Sequence, residues 1–277
     1  MERREFIAKS ALALIASGVG MGTSRSLFAS SEKSKPGVTS GKKGDKPTLA
    51  FVLYQGMTPL DIIGPATALA GDDLHVEFVA HDLQPLKCEQ SFMQFCPTTT
   101  FDRLDRVDIL CVTGTGNPYA HLLDTKMLDW MHKVGSEAEW VTSVCTGSIL
   151  LGAAGLMKGY QATTHWSMME DLKPFGAIPV DERVVTDRNR ISGGGVTAGI
   201  DFGLTLRDKL TGKESAEFAQ LLMQYDPHPP YNSGTPKTAP ENVTQDARKM
   251  VMGNVEAETP DWQRRVQESA KRAERYS

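Results

Sequence analysis

The sequence predicts an α/β fold in which a mainly parallel sheet carries helices on both faces. Between about residues 47 and 224, short apolar runs that suit buried strands alternate with segments of helical periodicity. Strands separated by helices are typical of a parallel sheet with both faces covered. The chain has 277 residues, 40% of them hydrophobic, which suffices for one sizeable core and is short for two full domains. A single cysteine where one strand-like run meets a helix-like one also indicates a nucleophile elbow.

The first half of this domain is predicted to contain three strands and two helices. In chain order these are a strand at 48–54, a helix at 58–69, strands at 76–80 and 107–112, and a helix at 121–134. Pro59 falls in the first turn of the first helix, where backbone N–H groups have no partner within the helix, so a residue without an N–H fits there. The strand-like runs are nearly continuous in apolar residues, so we expect most of them to be buried on both faces.

The second half is predicted to alternate in the same way. Its elements are a strand at 139–144, a helix at 146–154, a hairpin that pairs 184–185 with 190–192, and helices at 196–209 and 215–223. The hairpin turns at 187–189, where polar residues separate two short apolar pairs. We therefore expect the domain to close with one antiparallel pair and two helices.

The chain changes character after Asp226. Prolines 229, 230, 236 and 240 indicate an extended arm on the surface, because proline fits neither a helix interior nor a central strand. The remaining residues are charged and helix-compatible, and Pro260 and Asp261 are suited to begin a last helix. We predict a catalytic domain at 47–240 and a C-terminal helical extension at 241–277.

The first thirty residues are predicted to be an export signal. Adjacent Arg3 and Arg4 are followed by an apolar, small-residue run at 11–22 that has no acidic residue. This pattern is typical of a twin-arginine signal, and the run is too short and too rich in glycine to be a stable membrane anchor. The alternative is an ordinary amphipathic N-terminal helix. We expect a signal segment at 1–30, a flexible linker at 31–46, export by the twin-arginine machinery and a periplasmic location.

Composition argues against several classes of function. The formal net charge is -4 and no basic stripe is interleaved with aromatic residues, so we expect a small-molecule ligand and no nucleic acid. The six histidines show no ligand spacing such as H-E-x-x-H, so no metal is predicted. Four cysteines do not make a disulfide framework in a chain of this size. Cys88 and Cys96 are left open as a pair or as free thiols, and Cys111 is expected to be a buried structural thiol.

The fourth cysteine, Cys145, is the predicted nucleophile. It follows an apolar strand and precedes a helix of small residues, which is the layout of an elbow that holds a side chain at the carboxyl edge of the sheet. The N–H groups and dipole of the helix's first turn are expected to favour the thiolate and to lower the thiol pKa. The alternative is a buried cysteine that only caps a helix.

Four further residues are predicted to join Cys145 at the same edge. Asp61 lies among apolar residues at the end of the first strand–helix unit, where desolvation would raise its pKa and let it share a proton near neutral pH. Gly114 and Thr115 follow a central strand, and backbone N–H groups in such a turn suit a developing negative charge. Thr146 adds a hydroxyl beside the nucleophile. The alternatives are a helix-start charge for Asp61 and a helix N-terminal threonine for Thr146.

These residues carry a resemblance to a known family. The runs that carry it are Leu60-Asp61-Ile62-Ile63-Gly64-Pro65, Val144-Cys145-Thr146-Gly147, Ala162-Thr163-Thr164-His165-Trp166 and Gly193-Gly194-Gly195-Val196-Thr197-Ala198-Gly199. With them, residues 47–240 resemble the isonitrile hydratase branch of the ThiJ/PfpI superfamily, which has the class I glutamine amidotransferase-like fold. The resemblance implies a flavodoxin-like three-layer sandwich, a homodimer, and catalytic roles for Asp61, Cys145 and Thr146.

The resemblance also sets the expected activity and its limits. It implies cysteine-dependent hydration of isonitriles to N-substituted formamides, without a metal or an organic cofactor. Thr146 stands where peptidase-type members have histidine, and Thr113-Gly114-Thr115 stands where the branch has Pro-Gly-Gly. His165 is a candidate for proton handling, although a structural hydrogen-bonding role is favoured. Alternatives are other chemistry of the superfamily on small carbonyl or amide compounds, or a non-catalytic periplasmic binding module.

Overall fold

The computed structural model describes residues 46–71 and 73–276. The signal predicted for 1–30 and nearly all of the linker predicted for 31–46 lie outside these residues. The strands, in chain order, are β1 (Thr48–Val52), β2 (His75–Ala80), β3 (Leu86–Lys87), β4 (Gln94–Phe95), β5 (Thr99–Thr100), β6 (Ile109–Val112), β7 (Trp140–Val144), β8 (Gln161–Ala162), β9 (Ile178–Pro179), β10 (Val184–Asp187) and β11 (Arg190–Gly193).

The helices complete the described chain. They are α1 (Leu60–Ala68), α2 (Thr125–Glu137), α3 (Gly147–Ala153), α4 (Ala198–Thr211), α5 (Lys213–Leu222), α6 (Glu241–Glu258) and α7 (Trp262–Ala273), with 3-10 helices at Pro118–His121, Trp166–Phe175 and Glu274–Tyr276. None of the helices in the described residues is long and apolar enough to cross a membrane.

A seven-stranded sheet forms the centre of the domain. Its strand order is β10-β11-β7-β6-β1-β2-β5, and every neighbouring pair is parallel except β10 with β11. The middle strands are buried along nearly their whole length, as their continuous apolar runs predict. The predicted mainly parallel sheet, with its antiparallel hairpin at one edge, is therefore confirmed.

Helices pack on both faces of this sheet, which confirms the three-layer arrangement. Helices α1, α4 and α5 contact one another on one side, and α2, α3 and α7 form the second group. Small residues let α1 and α4 approach closely: a Cβ placed on Gly203 would lie 2.8 Å from the Cβ of Ala68. The glycines of the α4 sequence therefore serve close helix packing.

Several local predictions needed correction. The helix predicted at 121–134 is divided into the 3-10 helix Pro118–His121 and α2, because the Asp124 side chain accepts a hydrogen bond from Met127 N at 3.1 Å and starts a new helix. The two-residue strands and the 3-10 helix Trp166–Phe175 were not predicted, since such short elements have no periodicity of their own. Cys88 and Cys96, left open above, are both free thiols.

Candidate active site

The predicted site residues meet at the carboxyl edge of the sheet. Asp61 lies in α1 after β1, Gly114 follows β6, and Cys145 follows β7. Val196 lies just after β11, the other neighbour of β7. Because neighbouring parallel strands end at the same edge, the fold brings together four chain segments that are far apart in sequence.

Cys145 has a strained backbone at the turn between β7 and α3. Its φ is +56°, in the left-handed region that a residue with a side chain rarely adopts. Its N–H is shared between the carbonyls of Gly193 at 3.0 Å and Gly194 at 2.8 Å. Its own carbonyl accepts hydrogen bonds from Thr164 Oγ1 at 3.0 Å and Ser148 Oγ at 3.2 Å. Bonds on both sides of the residue hold the conformation that presents its side chain at the sheet edge, as in a nucleophile elbow.

The residue two positions after Cys145 must be glycine for this turn to form. A Cβ on Gly147 would lie 2.1 Å from the carbonyl oxygen of Val112, at the end of the neighbouring strand β6. No side chain fits at that distance. The glycine at position 147 is thus required by how closely α3 begins against β6.

Gly114 lies against both the acid and the thiol. A Cβ there would lie 2.7 Å from the Cβ of Cys145 and 2.8 Å from Oδ2 of Asp61. The Gly114 N–H donates to that same Oδ2 at 2.8 Å. The absence of a side chain at Gly114 therefore leaves open the space that the Asp61 carboxyl group and the Cys145 side chain both approach.

The carboxyl group of Asp61 is wholly buried. Its Oδ1 has no hydrogen-bond partner among the described residues, so one oxygen is held by Gly114 and the other is uncommitted. Burial raises the pKa of Asp61 to about 8, against the opposing effect of the Gly114 N–H, and the negative charge of Glu89 raises it further. The sequence prediction of a raised pKa is confirmed.

The predicted lowering of the Cys145 pKa is wrong. Burial and the neighbouring charge of Asp61 raise the pKa of the thiol well above its ordinary value. The backbone N–H groups of Thr146 and Val196 hydrogen-bond the cysteine and act in the opposite direction. A helix N-terminus lowers a thiol pKa when the sulfur stays partly solvated, and here desolvation beside a second acid outweighs it.

Thr146 is engaged with the backbone of the loop after β6. Its hydroxyl donates to the carbonyl of Thr115 at 2.7 Å and accepts from the Thr115 N–H at 2.9 Å. The predicted use of the Gly114 and Thr115 N–H groups for a developing anion needs correction, because both are already bonded, to Asp61 and Thr146. They orient those side chains, and the N–H groups beside the sulfur are those of Thr146 and Val196.

His165 lies near the site without a hydrogen bond to Cys145 in the part of the chain that the structure describes. Its Nδ1 is 2.7 Å from Ser167 Oγ, and its ring edge lies against Gly195. Burial lowers the pKa of His165, with a smaller opposing effect from Glu89. This geometry agrees with the structural hydrogen-bonding role that the sequence analysis favoured.

The sequence analysis missed three residues of the site. Glu89 lies in a loop and accepts a hydrogen bond from Gly116 N at 3.2 Å, and its charge raises the pKa values of Asp61 and Cys145. Tyr54 donates its hydroxyl hydrogen to the Thr113 carbonyl. Burial and the charge of Asp61 raise the pKa of Tyr54. Val196 was noted only as part of a glycine-rich run. The glycine-rich run follows β11, the neighbour of β7, and this position was the one feature of the sequence that could have indicated Val196 as a site residue.

A cavity of about 450 Å³ is lined by residues that contact Cys145. Thr164, which bonds the Cys145 carbonyl, and Val196 both line it, together with His165 and Trp166. Lys237, from the proline-containing arm, closes another side and pairs with Asp181 at 2.8 Å. Within residues 46–71 and 73–276 no cluster of three or more His, Cys, Asp or Glu side chains is arranged to hold a metal ion.

Comparisons with known proteins agree with this geometry. The sequence profile of the DJ-1/PfpI family matches residues 47–209. The chain is 43% identical over 212 residues to isonitrile hydratase of Pseudomonas putida, an alignment that covers 76% of this chain and 92% of that protein. A crystal structure of a ThiJ/PfpI family protein from Pseudomonas syringae superposes with a TM-score of 0.73 at 39% identity, covering 82% of this chain and 91% of the other. Drosophila melanogaster DJ-1beta, at 21% identity and a TM-score of 0.57 over 65% of this chain and 98% of its own, shares the fold.

Proposed function

The chain belongs to the DJ-1/PfpI family, and we propose that it hydrates isonitriles to N-substituted formamides with Cys145 as the nucleophile. The observation that carries this proposal is that Asp61 and Cys145 both lie against Gly114, in the space that a side chain there would take. A buried acid next to a buried thiol can move one proton without the help of solvent. The likeness to an isonitrile hydratase over most of both chains supports the choice of substrate class.

The first step forms a carbon–sulfur bond. Because the pKa of the Cys145 thiol is raised well above its ordinary value, the thiol enters the reaction protonated. The Asp61 carboxylate, which forms as pH rises through about 8, takes this proton as the sulfur adds to the terminal carbon of the isonitrile. Asp61 then gives this proton to the same carbon. The product is a thioimidate in which sulfur, hydrogen and the C=N double bond share that carbon, and the carboxylate is restored.

The second step consumes one water molecule. Water adds to the thioimidate carbon, with its hydroxyl going to carbon and a proton to nitrogen, and the carbon–sulfur bond then breaks. The sulfur recovers the hydroxyl proton through Asp61, and an N-substituted formamide leaves. Summed over both steps, one isonitrile and one water give one formamide, and no oxidant or reductant is needed.

Two backbone N–H groups support the sulfur during this cycle. Those of Thr146 and Val196 hydrogen-bond Cys145 and stabilise negative charge on its sulfur as bonds form and break. The substituent of the isonitrile would occupy the cavity beside Thr164 and Trp166. Its volume of about 450 Å³ is in the range of small-molecule sites.

The experiment that tests the proposal is a measurement of formamide formation from a panel of alkyl and aryl isonitriles. Purified protein should form formamide, and Cys145→Ala should form none above the uncatalysed rate. Binding of isonitriles without turnover by the unaltered protein would contradict the enzymatic reading and favour the binding module. Turnover of amide or carbonyl substrates alone would instead favour another chemistry of the superfamily.

We further propose that the protein is exported as a periplasmic protein and assembles as a homodimer. The export proposal rests on Arg3 and Arg4 ahead of an apolar run. Replacing both by lysine should leave the precursor in the cytoplasm, and an unchanged periplasmic yield would contradict the twin-arginine signal. Sedimentation of the mature protein tests the dimer, which rests on the family resemblance.

A further inference from the structure

The C-terminal helices α6 and α7 pack on the catalytic domain beside the site. Their buried side chains include Val255, with no exposed surface, and Ser269, which is 1% exposed. The ring of Trp262 lies 5.0 Å from that of Tyr119, which follows the loop after β6. This part of the chain is therefore joined to the core next to the loop that contacts Asp61 and Cys145.

Asn117 is the residue through which the loop and these helices are hydrogen-bonded. Its Nδ2 donates to Glu258 Oε2 at 3.0 Å and to Thr259 Oγ1 at 2.9 Å. Asn117 is 7% and Thr259 2% exposed, so water competes little for the bond between them. Both amide hydrogens of Asn117 are thus committed to the end of α6 and the residue after it.

A continuous set of hydrogen bonds leads from Asn117 to the nucleophile. The Asn117 N–H donates to Thr115 Oγ1 at 3.3 Å, and that hydroxyl donates to the carbonyl of Gly56 at 2.7 Å. The backbone N–H and carbonyl of Thr115 then form the reciprocal pair with the Thr146 hydroxyl. Thr146 is the residue after Cys145 and provides one of the N–H groups at the thiol.

The same helix also contacts the opposite wall of the site. Arg248, in the middle of α6, lies with its guanidinium 5.1 Å from the ring centre of Trp166 and donates to the carbonyl of Ser167 at 3.4 Å. Trp166 lines the cavity next to His165. One helix therefore touches both the loop after β6 and the segment that carries His165.

We propose that Asn117 and Thr259 are positioning residues, through which the C-terminal helices fix the Thr115–Thr146 pair and so the sulfur of Cys145. This inference rests on the proposed function of Cys145, and it assigns a role in the reaction to a part of the chain outside the residues matched by the family profile, 47–209. Neither residue touches the sulfur. Each acts by limiting where the loop and Thr146 can lie.

The test compares hydrogen-bond deletions at two places in the same extension. Thr259→Val keeps the shape of the side chain and removes the acceptor for Asn117, whereas Thr259→Ser keeps the acceptor. Tyr276→Phe is the matched control: it removes a hydroxyl that bonds Asp129 and Arg272, while its ring remains 4.0 Å from that of His132. Glu258→Ala, at an exposed position, is a second variant that removes the other acceptor for Asn117.

Thr259→Val should lower kcat on an isonitrile about tenfold with KM within about twofold, the rate equivalent of one lost hydrogen bond. Glu258→Ala should change kcat in the same direction by less, Thr259→Ser should restore kcat, and Tyr276→Phe should lower Tm with kcat unchanged. If Thr259→Val and Tyr276→Phe have the same kcat as the unaltered protein, or lose it equally, the positioning role is wrong.

A second readout needs no substrate. The rate at which iodoacetamide alkylates Cys145, followed by mass spectrometry well below Tm, should change in Thr259→Val and not in Tyr276→Phe. If no isonitrile is turned over by any variant but this difference in alkylation is found, the proposed function fails and the positioning role stands. Equal alkylation rates in these two variants would overturn the positioning role whatever the substrate.

Discussion

Two buried cysteines, one inside a strand and one at the end of the neighbouring strand, show how the proposed nucleophile differs from a structural thiol. Cys111 lies inside β6 with no exposed surface, and Cys145 follows the end of β7 with 4% exposed. Burial raises the pKa of Cys111 to about 12 and that of Cys145 well above its ordinary value. Burial therefore acts on both thiols in the same direction and does not separate them.

The difference lies in the backbone and in the neighbouring polar groups. Cys111 has regular strand pairing on both sides, and Thr142, its polar neighbour, also bonds the carbonyl of Leu110 at 2.9 Å. Cys145 has a positive φ, two N–H groups directed at it, and the carboxyl group of Asp61 nearby. At the end of a strand the backbone turns and other segments converge. Such a position therefore provides the acid and the hydrogen-bond donors that the interior of a strand lacks.

Removing each thiol should give the largest contrast. Cys145→Ala should abolish formamide formation, because the atom that attacks the isonitrile is gone. Cys111→Ala should keep kcat within about twofold and lower the free energy of unfolding by about 1–2 kcal/mol, since it opens a small void in the core. Steady-state kinetics and urea unfolding of both variants check this. An active Cys145→Ala protein would show that the Cys145 sulfur is not the nucleophile and that the two cysteines do not differ in this way.

Replacing the acid should have the next largest effect. Asp61→Asn keeps the shape of the side chain and can keep the bond from Gly114 N, but it cannot take up the thiol proton, so kcat should fall by about 10²–10⁴-fold. The matched control is Asp108→Asn, because the Asp108 carboxylate accepts a bond from Thr48 N at 2.8 Å at the start of β6, away from the site. A near-normal rate for Asp61→Asn would mean that Asp61 has only a structural role and that His165 is the candidate for handling the proton.

A pair of threonine variants sharpens the comparison further. Thr146→Val leaves the N–H and carbonyl of Thr115 without their partner and should lower kcat about tenfold, as well as stability by about 1–3 kcal/mol. Thr142→Val removes the hydroxyl beside Cys111 and should lower stability with no change in kcat. If the two variants lose activity equally, the position of the hydroxyl relative to Cys145 does not matter.

The pH dependence should show the smallest but most specific effect. The pKa of Asp61 is raised to about 8, so its carboxylate, the form that accepts the thiol proton, increases as pH rises through that value. The value of kcat/KM should therefore rise from pH 6, reach half of its maximum near pH 8 and level off above about pH 9, and Asp61→Asn should lose this rising limb. A profile that falls over this range would mean that the protonated carboxyl group is the active form.

Stability should depend on the same group with the opposite sign. Because the raised pKa means that the folded state binds a proton more tightly, the stabilisation is fully present below the ordinary pKa of 3.8 and is lost as pH rises through about 8. Asp61→Asn should therefore have a Tm that varies less between pH 6 and pH 9 than that of the unaltered protein. Thermal unfolding at these two pH values checks this.

The sequence was sufficient to predict the sheet and the meeting of Asp61 and Cys145 at its carboxyl edge. The strands β1, β6 and β7 are continuous apolar runs, and Asp61 and Cys145 each stand near the end of one, so the rule that ligands bind at the carboxyl edge places them together. Glu89 and the orientation of Val196 could not be predicted, because a loop residue gains its role only from the segment it meets in the fold. The direction of the Cys145 pKa depends on its depth of burial and on the distance to Asp61, which no local pattern contains.

The proposed mechanism depends on a covalent bond between Cys145 and the substrate carbon. Acid quenching within the first turnover on an isonitrile, followed by mass spectrometry of the intact protein and its peptides, tests it most directly. We expect an added mass of one isonitrile molecule, located on Cys145 and absent from Cys145→Ala. Formamide production with no adduct on Cys145, or with the adduct on another residue, would contradict it.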